Sequence, residues 1–209
     1  GIPSFTYGDN NSDVNGNIVK TNPFIGLVWS NQSKKEYSIN TNLYGTYNMP
    51  NIMAAIACGI FFKVSEENIC KSIEEYSPTN NRSQIIKTDK NSIVLDAYNA
   101  NPVSMKNAII SFAEHNSDNP VLILGDMFEL GESSLEEHQT IIDQLKQSKF
   151  TDVFLVGEEF YKLSENQSFK SFKTTKDAAN YLSSIKLANH SILIKGSRGM
   201  KLEELVELF

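Results

Sequence analysis

The sequence predicts an α/β fold: a doubly wound, mainly parallel sheet with helices on both faces, preceded by a smaller strand-and-helix unit. Three observations carry this expectation. From Arg82 onward, short continuous apolar runs alternate with helical segments, the pattern of strands buried on both faces and joined by right-handed crossovers. The first fifty residues instead hold nine of the chain's 22 Asn and alternate β-like runs with turn clusters. Between these regions lies Ser77-Pro78-Thr79-Asn80-Asn81, polar and turn-rich. It divides the chain into residues 1–77, a hinge at 78–81 and a second domain at 82–209.

In the first part, Asn10-Asn11-Ser12-Asp13 and Asn15-Gly16-Asn17 read as turns, and Ile18–Lys20, Phe24–Ser30 and Glu36–Asn40 as strands. Phe24 and Trp29 are expected in the core. Met49 to Phe62 is small and apolar, a buried helix with Pro50 in its first turn. Ser65 is placed to cap a second helix, Glu66–Tyr76. In the second part, Ile93–Asp96 is a strand, and Asn101-Pro102 supplies the cap and first residue of a helix to His115. Val121–Leu124 follows as a strand and Gly125–Gly131 as a loop. Ser133 and Ser134 each precede a Glu by three residues, which predicts two overlapping capping boxes at the start of a helix to Lys146. Val153–Val156 and Ile192–Ile194 are strands. Thr174 with Asp177 opens a helix to Ile185, and Lys201–Phe209 closes the chain as a helix.

At 209 residues the chain is one large domain or two small ones, and 40% hydrophobic residues suffice for a core. The formal net charge of −6, without clustered cations, argues against nucleic-acid binding. The absence of an apolar run of about 18 residues argues against a membrane span. The start, GIPSFTYGDNN, has no basic segment followed by an apolar one, so no signal peptide is expected. Cys58 and Cys70 read as structural thiols of a cytosolic protein. His115, His138 and His190 are scattered and read as helix-end or surface residues, so no metal site is expected from them.

In an open parallel sheet, ligands bind beyond the carboxyl ends of the strands. Polar groups stand at three such ends. Asp96 leads into Tyr98-Asn99-Ala100-Asn101, where a carboxylate suits a vicinal diol such as a ribose; a turn former is the alternative. Gly125-Asp126-Met127-Phe128-Glu129-Leu130-Gly131 reads as an ordinary loop, a lid or a metal site. Lys195-Gly196-Ser197-Arg198-Gly199 suits an anion, because glycines admit close backbone approach and the two cations add charge. Upstream, Asn48 and Asn51 lie three apart at a helix start, where their amides can share one face and meet a base edge; a plain N-cap at Asn48 is the alternative. Arg82 can reach a phosphate or form a salt bridge. The G-x-x-x-x-G-K-[ST] phosphate loop is absent.

Together these segments resemble the Mur ligases, ATP-dependent amide-forming enzymes of peptidoglycan precursor synthesis. G-T-Y-N-M-P-N-I-M-A-A (Gly45–Ala55) is similar to the family's G-x-H-N-x-x-N-x-x-A-A, with Tyr47 where His is usual. D-A-Y-N-A-N-P-V-S-M (Asp96–Met105), L-G-D-M-F-E-L-G (Leu124–Gly131) with His138 downstream, and K-G-S-R (Lys195–Arg198) resemble the member that adds D-alanyl-D-alanine to UDP-N-acetylmuramoyl-tripeptide. The resemblance implies a bacterial, cytoplasmic, monomeric enzyme that forms an acyl phosphate from ATP with Mg²⁺ and lets the dipeptide amine attack it. Residues 1–77 would close its central ATPase domain, and residues 82–209 would be its C-terminal Rossmann-like domain. Asn48, Asn51, Arg82 and Asp96 would bind ATP, and Tyr98, Asn99, Lys195, Ser197 and Arg198 would lie on the D-Ala-D-Ala side. No complete catalytic set is present, since the family's phosphate loop and Mg²⁺-binding Glu and His are not in this sequence. The resemblance implies that they precede Gly1 in a longer chain, and that the 209 residues alone are inactive. Another Mur-type ligase, a folylpolyglutamate synthase and a noncatalytic nucleotide-binding module are the competing readings.

Overall fold

A computed structural model describes residues 4–8, 11–115, 119–166 and 168–209. Asn10, which opens the first expected turn cluster, lies outside the described residues. The chain divides into two units, Gly1–Pro78 and Thr79–Phe209. Each contains its own apolar core.

In the first unit, β1 (Tyr7–Gly8), β2 (Val14–Lys20), β3 (Gly26–Asn31) and β4 (Glu36–Asn40) form a sheet in that order. β1 is parallel to β2, and the other two pairs are antiparallel. Val14, Leu27, Trp29 and Ile39 share a core with Ile52, Met53 and Ile56 of α1 (Met49–Phe61) and Ile69 of α2 (Glu66–Glu75). Ser65 caps α2 as expected, its hydroxyl accepting from Asn68 N–H. Two local expectations fail. Asn15-Gly16-Asn17 is strand rather than turn, paired with Ser30, Trp29 and Val28 of β3, and Met53 fills the space a Cβ on Gly16 would need. Phe24 is half-buried, since Ile25 takes the core position ahead of β3. The thiol of Cys58 is exposed and that of Cys70 half-buried, so Cys58 does not fit a structural role.

The second unit is a six-stranded sheet. Its strands are β5 (Gln84–Lys87), β6 (Ser92–Asp96), β7 (Pro120–Gly125), β8 (Asp152–Val156), β9 (Lys170–Phe172) and β10 (Ser191–Lys195). The spatial order is β5-β6-β10-β7-β8-β9, parallel throughout except for antiparallel β5 at the edge. One face packs Ile93, Leu95, Val121, Ile123, Ile192 and Ile194 against α6 (Thr175–Ile185) and a closing 3₁₀ helix, Leu202–Leu208. The alternate residues Val94, Leu122, Leu124, Leu155 and Leu193 are buried too, so the second face is also covered. Helices α3 (Pro102–His115) and α4 (Ser134–Gln147) pack together and carry buried Met105, Ile109, Phe112, Ile141 and Ile142. The short α5 (Glu158–Lys162), β5 and β9 were not expected, since each is too short to show a period of its own.

Helix starts divide between expectation and correction. Asn101 caps α3 with its Oδ1 accepting from Ser104 N–H at 2.8 Å, and Thr174 caps α6 through Asp177 N–H at 3.1 Å. The capping boxes at Ser133 and Ser134 do not form. A 3₁₀ turn, Gly131–Ser133, runs straight into α4, so Ser133 has helical backbone and its hydroxyl donates to Leu130 C=O instead.

The two cores predict separable stabilities. Ile123 is fully buried on the central β7, so Ile123→Ala should destabilise the second unit by about 2–5 kcal/mol. The sole tryptophan, Trp29, lies in the first core. In a urea titration, far-UV circular dichroism should therefore shift to lower denaturant, while the Trp29 fluorescence transition stays in place.

Candidate functional site

Strand register assembles the site in the second unit. Asp96 ends β6, Lys195 ends β10, and the two are direct partners across the parallel ladder. Lys195 also faces Leu124 of β7, so the loop at Gly125 starts beside them. All three polar segments thus share the carboxyl edge of the sheet, where an open α/β sheet receives ligands.

Asp96 and Lys195 form a buried ion pair, Nζ to Oδ2 at 2.5 Å, with relative exposures of 8% for Asp96 and 1% for Lys195. Two buried charges persist only when their remaining hydrogen-bonding capacity is met. Lys195 Nζ also donates to Asn99 C=O at 3.3 Å. Asp96 Oδ1 accepts from Ser83 N–H at 3.0 Å and from Ser83 Oγ. Lys195 therefore differs from its expected place at a ligand carboxylate: its ammonium is directed to Asp96. Ser83 was not singled out from the sequence, because nothing local marks a serine as the partner of a carboxylate 13 residues away.

Around Ser83 the backbone takes an uncommon path. Asn81 (φ 59°) and Ser83 (φ 50°) are both left-handed and flank Arg82. Tyr98 N–H donates to Asn81 C=O at 3.1 Å, so the end of β6 holds this turn at both sides. The Arg82 guanidinium lies 3.8 Å from the Tyr98 ring centroid, and that of Arg198 lies 5.2 Å from it. Hydrogen bonding and charge from Arg82, with added charge from Arg198, hold the Tyr98 phenol below its usual range. The side chain of Asn99 is turned locally, its Oδ1 accepting from Ala100 N–H.

The neighbouring loops are tied to one another. Ser197 N–H donates to Asp126 C=O at 3.1 Å, and Ser197 Oγ accepts from Phe128 N–H at 2.9 Å. Asp126 is buried, and its carboxylate accepts from Glu159 and Phe160 N–H at the start of α5. Burial still pushes its pKa up. His138, expected at the surface, is fully buried: it lies in line with Ile141, Ile142 and Leu145 on the inner face of α4. That i, i+3, i+4, i+7 spacing was the available signal. Its Nε2 accepts from Met127 N–H at 3.0 Å, so the proton sits on Nδ1, which faces Ser134 C=O at 2.7 Å. The 3.5 Å approach of Asp126 to Nε2 is then not an ion pair. Among the described residues, no group of three or more His, Cys, Asp and Glu side chains is placed to hold a metal ion.

In the first unit, Asn51 Nδ2 donates to Asn48 Oδ1 at 3.1 Å, so the two amides share one face. Asn48 Nδ2 donates to Tyr44 C=O, and the Asn48 side chain does not cap the helix.

Residues 81–198 match the family model described as "Mur ligase, glutamate ligase domain". A Bacillus subtilis relative, named UDP-N-acetylmuramoyl-tripeptide–D-alanyl-D-alanine ligase, is 35% identical over 174 residues, covering 79% of this chain and 38% of the relative. The chain thus spans well under half the length of that relative. A solved Acinetobacter baumannii structure of UDP-N-acetylmuramoylalanyl-D-glutamyl-2,6-diaminopimelate–D-alanyl-D-alanyl ligase superposes with a TM-score of 0.84. It is 25% identical, and the match covers 96% of this chain and 44% of that one. A Thermotoga maritima MurF ligase in complex with ADP is 17% identical with a TM-score of 0.78, covering 97% of this chain and 47% of that one; it supports the fold.

The bracketed tyrosine gives a spectroscopic prediction. Arg82→Ala should raise the Tyr98 midpoint toward the free phenol value of about 10, and Arg198→Ala should raise it less. Ultraviolet titration of each variant against its Tyr98→Phe counterpart isolates this one phenol.

Proposed function

The chain belongs to the Mur ligase family, and from that premise we propose that it is the closing portion of an ATP-dependent ligase joining D-alanyl-D-alanine to UDP-N-acetylmuramoyl-tripeptide. The observation that carries this reading is the convergence of Arg82, Asp96, Tyr98, Asn99, Lys195, Ser197 and Arg198 at the carboxyl ends of β6 and β10. These residues come from separate stretches of sequence, and all but Arg82 lie in a motif that resembles that ligase. The proposal carries with it a bacterial, cytoplasmic enzyme.

The donor set suits a nucleotide and a carboxylate. Paired amides at Asn48 and Asn51 both donate and accept, as an adenine edge requires. Asp96 Oδ2 has one partner and keeps acceptor capacity for a ribose hydroxyl. Arg82 supplies a fixed cation for a phosphate. Arg198 offers a planar fork for the dipeptide carboxylate, with Tyr98 beside it; Asn99, which touches Lys195 through its carbonyl, is assigned to the same side. Ser197 is buried and holds the Arg198 loop against the Phe128 loop. The G-x-x-x-x-G-K-[ST] phosphate loop is not in this sequence, so in this reading the polyphosphate and its Mg²⁺ are held by another part of the ligase. In the assembled reaction, ATP activates the tripeptide carboxyl as an acyl phosphate, and the dipeptide amine displaces phosphate to form the amide. The residues here bind and orient; proximity of this kind is a large share of catalysis in phosphoryl and acyl transfer.

The test is ligase turnover by the full-length protein with UDP-N-acetylmuramoyl-tripeptide, D-Ala-D-Ala and Mg-ATP. In it, Arg198→Ala should raise KM for the dipeptide while leaving ATP nearly unaffected, and Arg198→Lys should recover only part. Asp96→Ala should raise KM for ATP by roughly ten- to a hundredfold, the worth of a hydrogen bond to a charged group. Equal losses for both substrates in Arg198→Ala would reassign that loop to the phosphates. The 209 residues alone should release no phosphate.

A further inference from the structure

Lys195 holds its charge inside the protein, and what that charge holds in turn is the turn bearing Arg82. We infer that Lys195 is a positioning residue for the nucleotide side of the site: by balancing Asp96 it fixes the Asn81–Ser83 turn and so aims Arg82. This rests on the reading that Arg82 and Asp96 face the nucleotide.

The connections are explicit. Lys195 is the one cation bonded to Asp96 among the described residues, and Asp96 Oδ1 accepts from both Ser83 N–H and Ser83 Oγ. Without the ammonium, a carboxylate at 8% exposure is uncompensated. It then either takes up a proton or turns toward water, and both weaken its hold on Ser83. Left-handed residues other than glycine persist only where their surroundings over-determine them. Released by Asp96, the turn loses the two bonds that Ser83 gives it and retains the Tyr98 N–H to Asn81 bond, and Arg82 loses its fixed place over the Tyr98 ring. Arg198, by contrast, is anchored without the Lys195 ammonium. Its loop is held by Ser197 N–H on Asp126 C=O, by Phe128 N–H on Ser197 Oγ and by Met200 N–H on Ser197 C=O. Losing the Lys195 charge should therefore disturb the nucleotide side and spare the dipeptide side, although Lys195 and Arg198 are only three residues apart.

The test uses two variants. Lys195→Met leaves Asp96 unbalanced. The double variant Lys195→Met/Asp96→Asn is neutral throughout, and its amide oxygen still accepts from Ser83 N–H. The Tyr98 midpoint, read on this chain against matched Tyr98→Phe versions, should rise toward about 10 in the single variant and return to the wild-type position in the double. If the single variant does not fold, the double decides: a wild-type midpoint supports the inference, and a raised one overturns it. In the full-length ligase, the single variant should raise KM for ATP about tenfold and leave KM for D-Ala-D-Ala unchanged. A raised dipeptide KM with unchanged ATP, or a midpoint that does not move in the single variant, refutes the positioning role. Absence of turnover in the wild-type full-length protein refutes the ligase reading alone, because the midpoint is read without substrates.

Discussion

A charge pair at the end of two central parallel strands organises the second unit. Bringing Asp96 and Lys195 out of water costs several kcal/mol per ion, and their attraction offsets this only with good geometry and satisfied neighbours. Both conditions come from topology. β10 lies between β6 and β7, although it is last in sequence, and that insertion makes Lys195 the cross-strand partner of Asp96. As register partners in a parallel ladder, both side chains also lie on the same face of the sheet. Part of the remaining capacity is met by Ser83 and by Asn99 C=O, two residues on the segments that enter and leave the site. Folding of the sheet and assembly of the site are thus one event.

A second buried carboxylate at the same edge is balanced without a cation. Asp126 accepts the first N–H groups of α5, while its histidine neighbour carries its proton on the far nitrogen and accepts from Met127. Peptide N–H groups at a helix start stabilise an anion and need no mobile side chain. Gly157 makes the arrangement possible: at φ 125° it turns β8 into α5, and a Cβ there would run into the Asp126 carboxylate. Ser197 then joins the two edges, bonding Asp126 C=O on one side and following Lys195 by two residues on the other. The rim therefore contains one carboxylate directed at a cation and one directed at backbone.

What the sequence revealed follows from what is local. Continuous apolar runs identified four strands of the main sheet, since burial on both faces leaves a direct trace in composition. The caps at Asn101 and Thr174 were legible because cap and acceptor lie three residues apart. Edge strands β5 and β9 were not, being short and partly exposed. The site was legible as a set of strand ends, but not as a set of partners. That Lys195 faces Asp96 depends on the strand order, which no periodicity encodes. That Ser83 completes the pair depends on a turn whose two left-handed residues are neither of them glycine. His138 is the instructive case: its helical spacing with Ile141, Ile142 and Leu145 marked it as buried, whereas a polar residue type suggested the surface.

The same turn fixes Arg82 in the folded unit itself. Holding Asn81 and Ser83 in the left-handed region costs on the order of 1–3 kcal/mol each, and ordering a long arginine side chain costs more. The folded unit meets these costs through Asp96, Tyr98 N–H and the Tyr98 ring, all supplied by the chain just beyond β6 or at its last residue. A free arginine would have to be immobilised on binding, at about 0.5–1.5 kcal/mol. Here that loss is already taken in folding, so an anion meeting Arg82 gains more of the full charge-assisted contact. Arg198 lies over the same ring at a longer distance and is held by a different set of backbone bonds. Two guanidiniums near one phenol would repel each other in the open; the Tyr98 ring, electron-rich on its faces and partly acidified at its hydroxyl, offers both cations a shared partner.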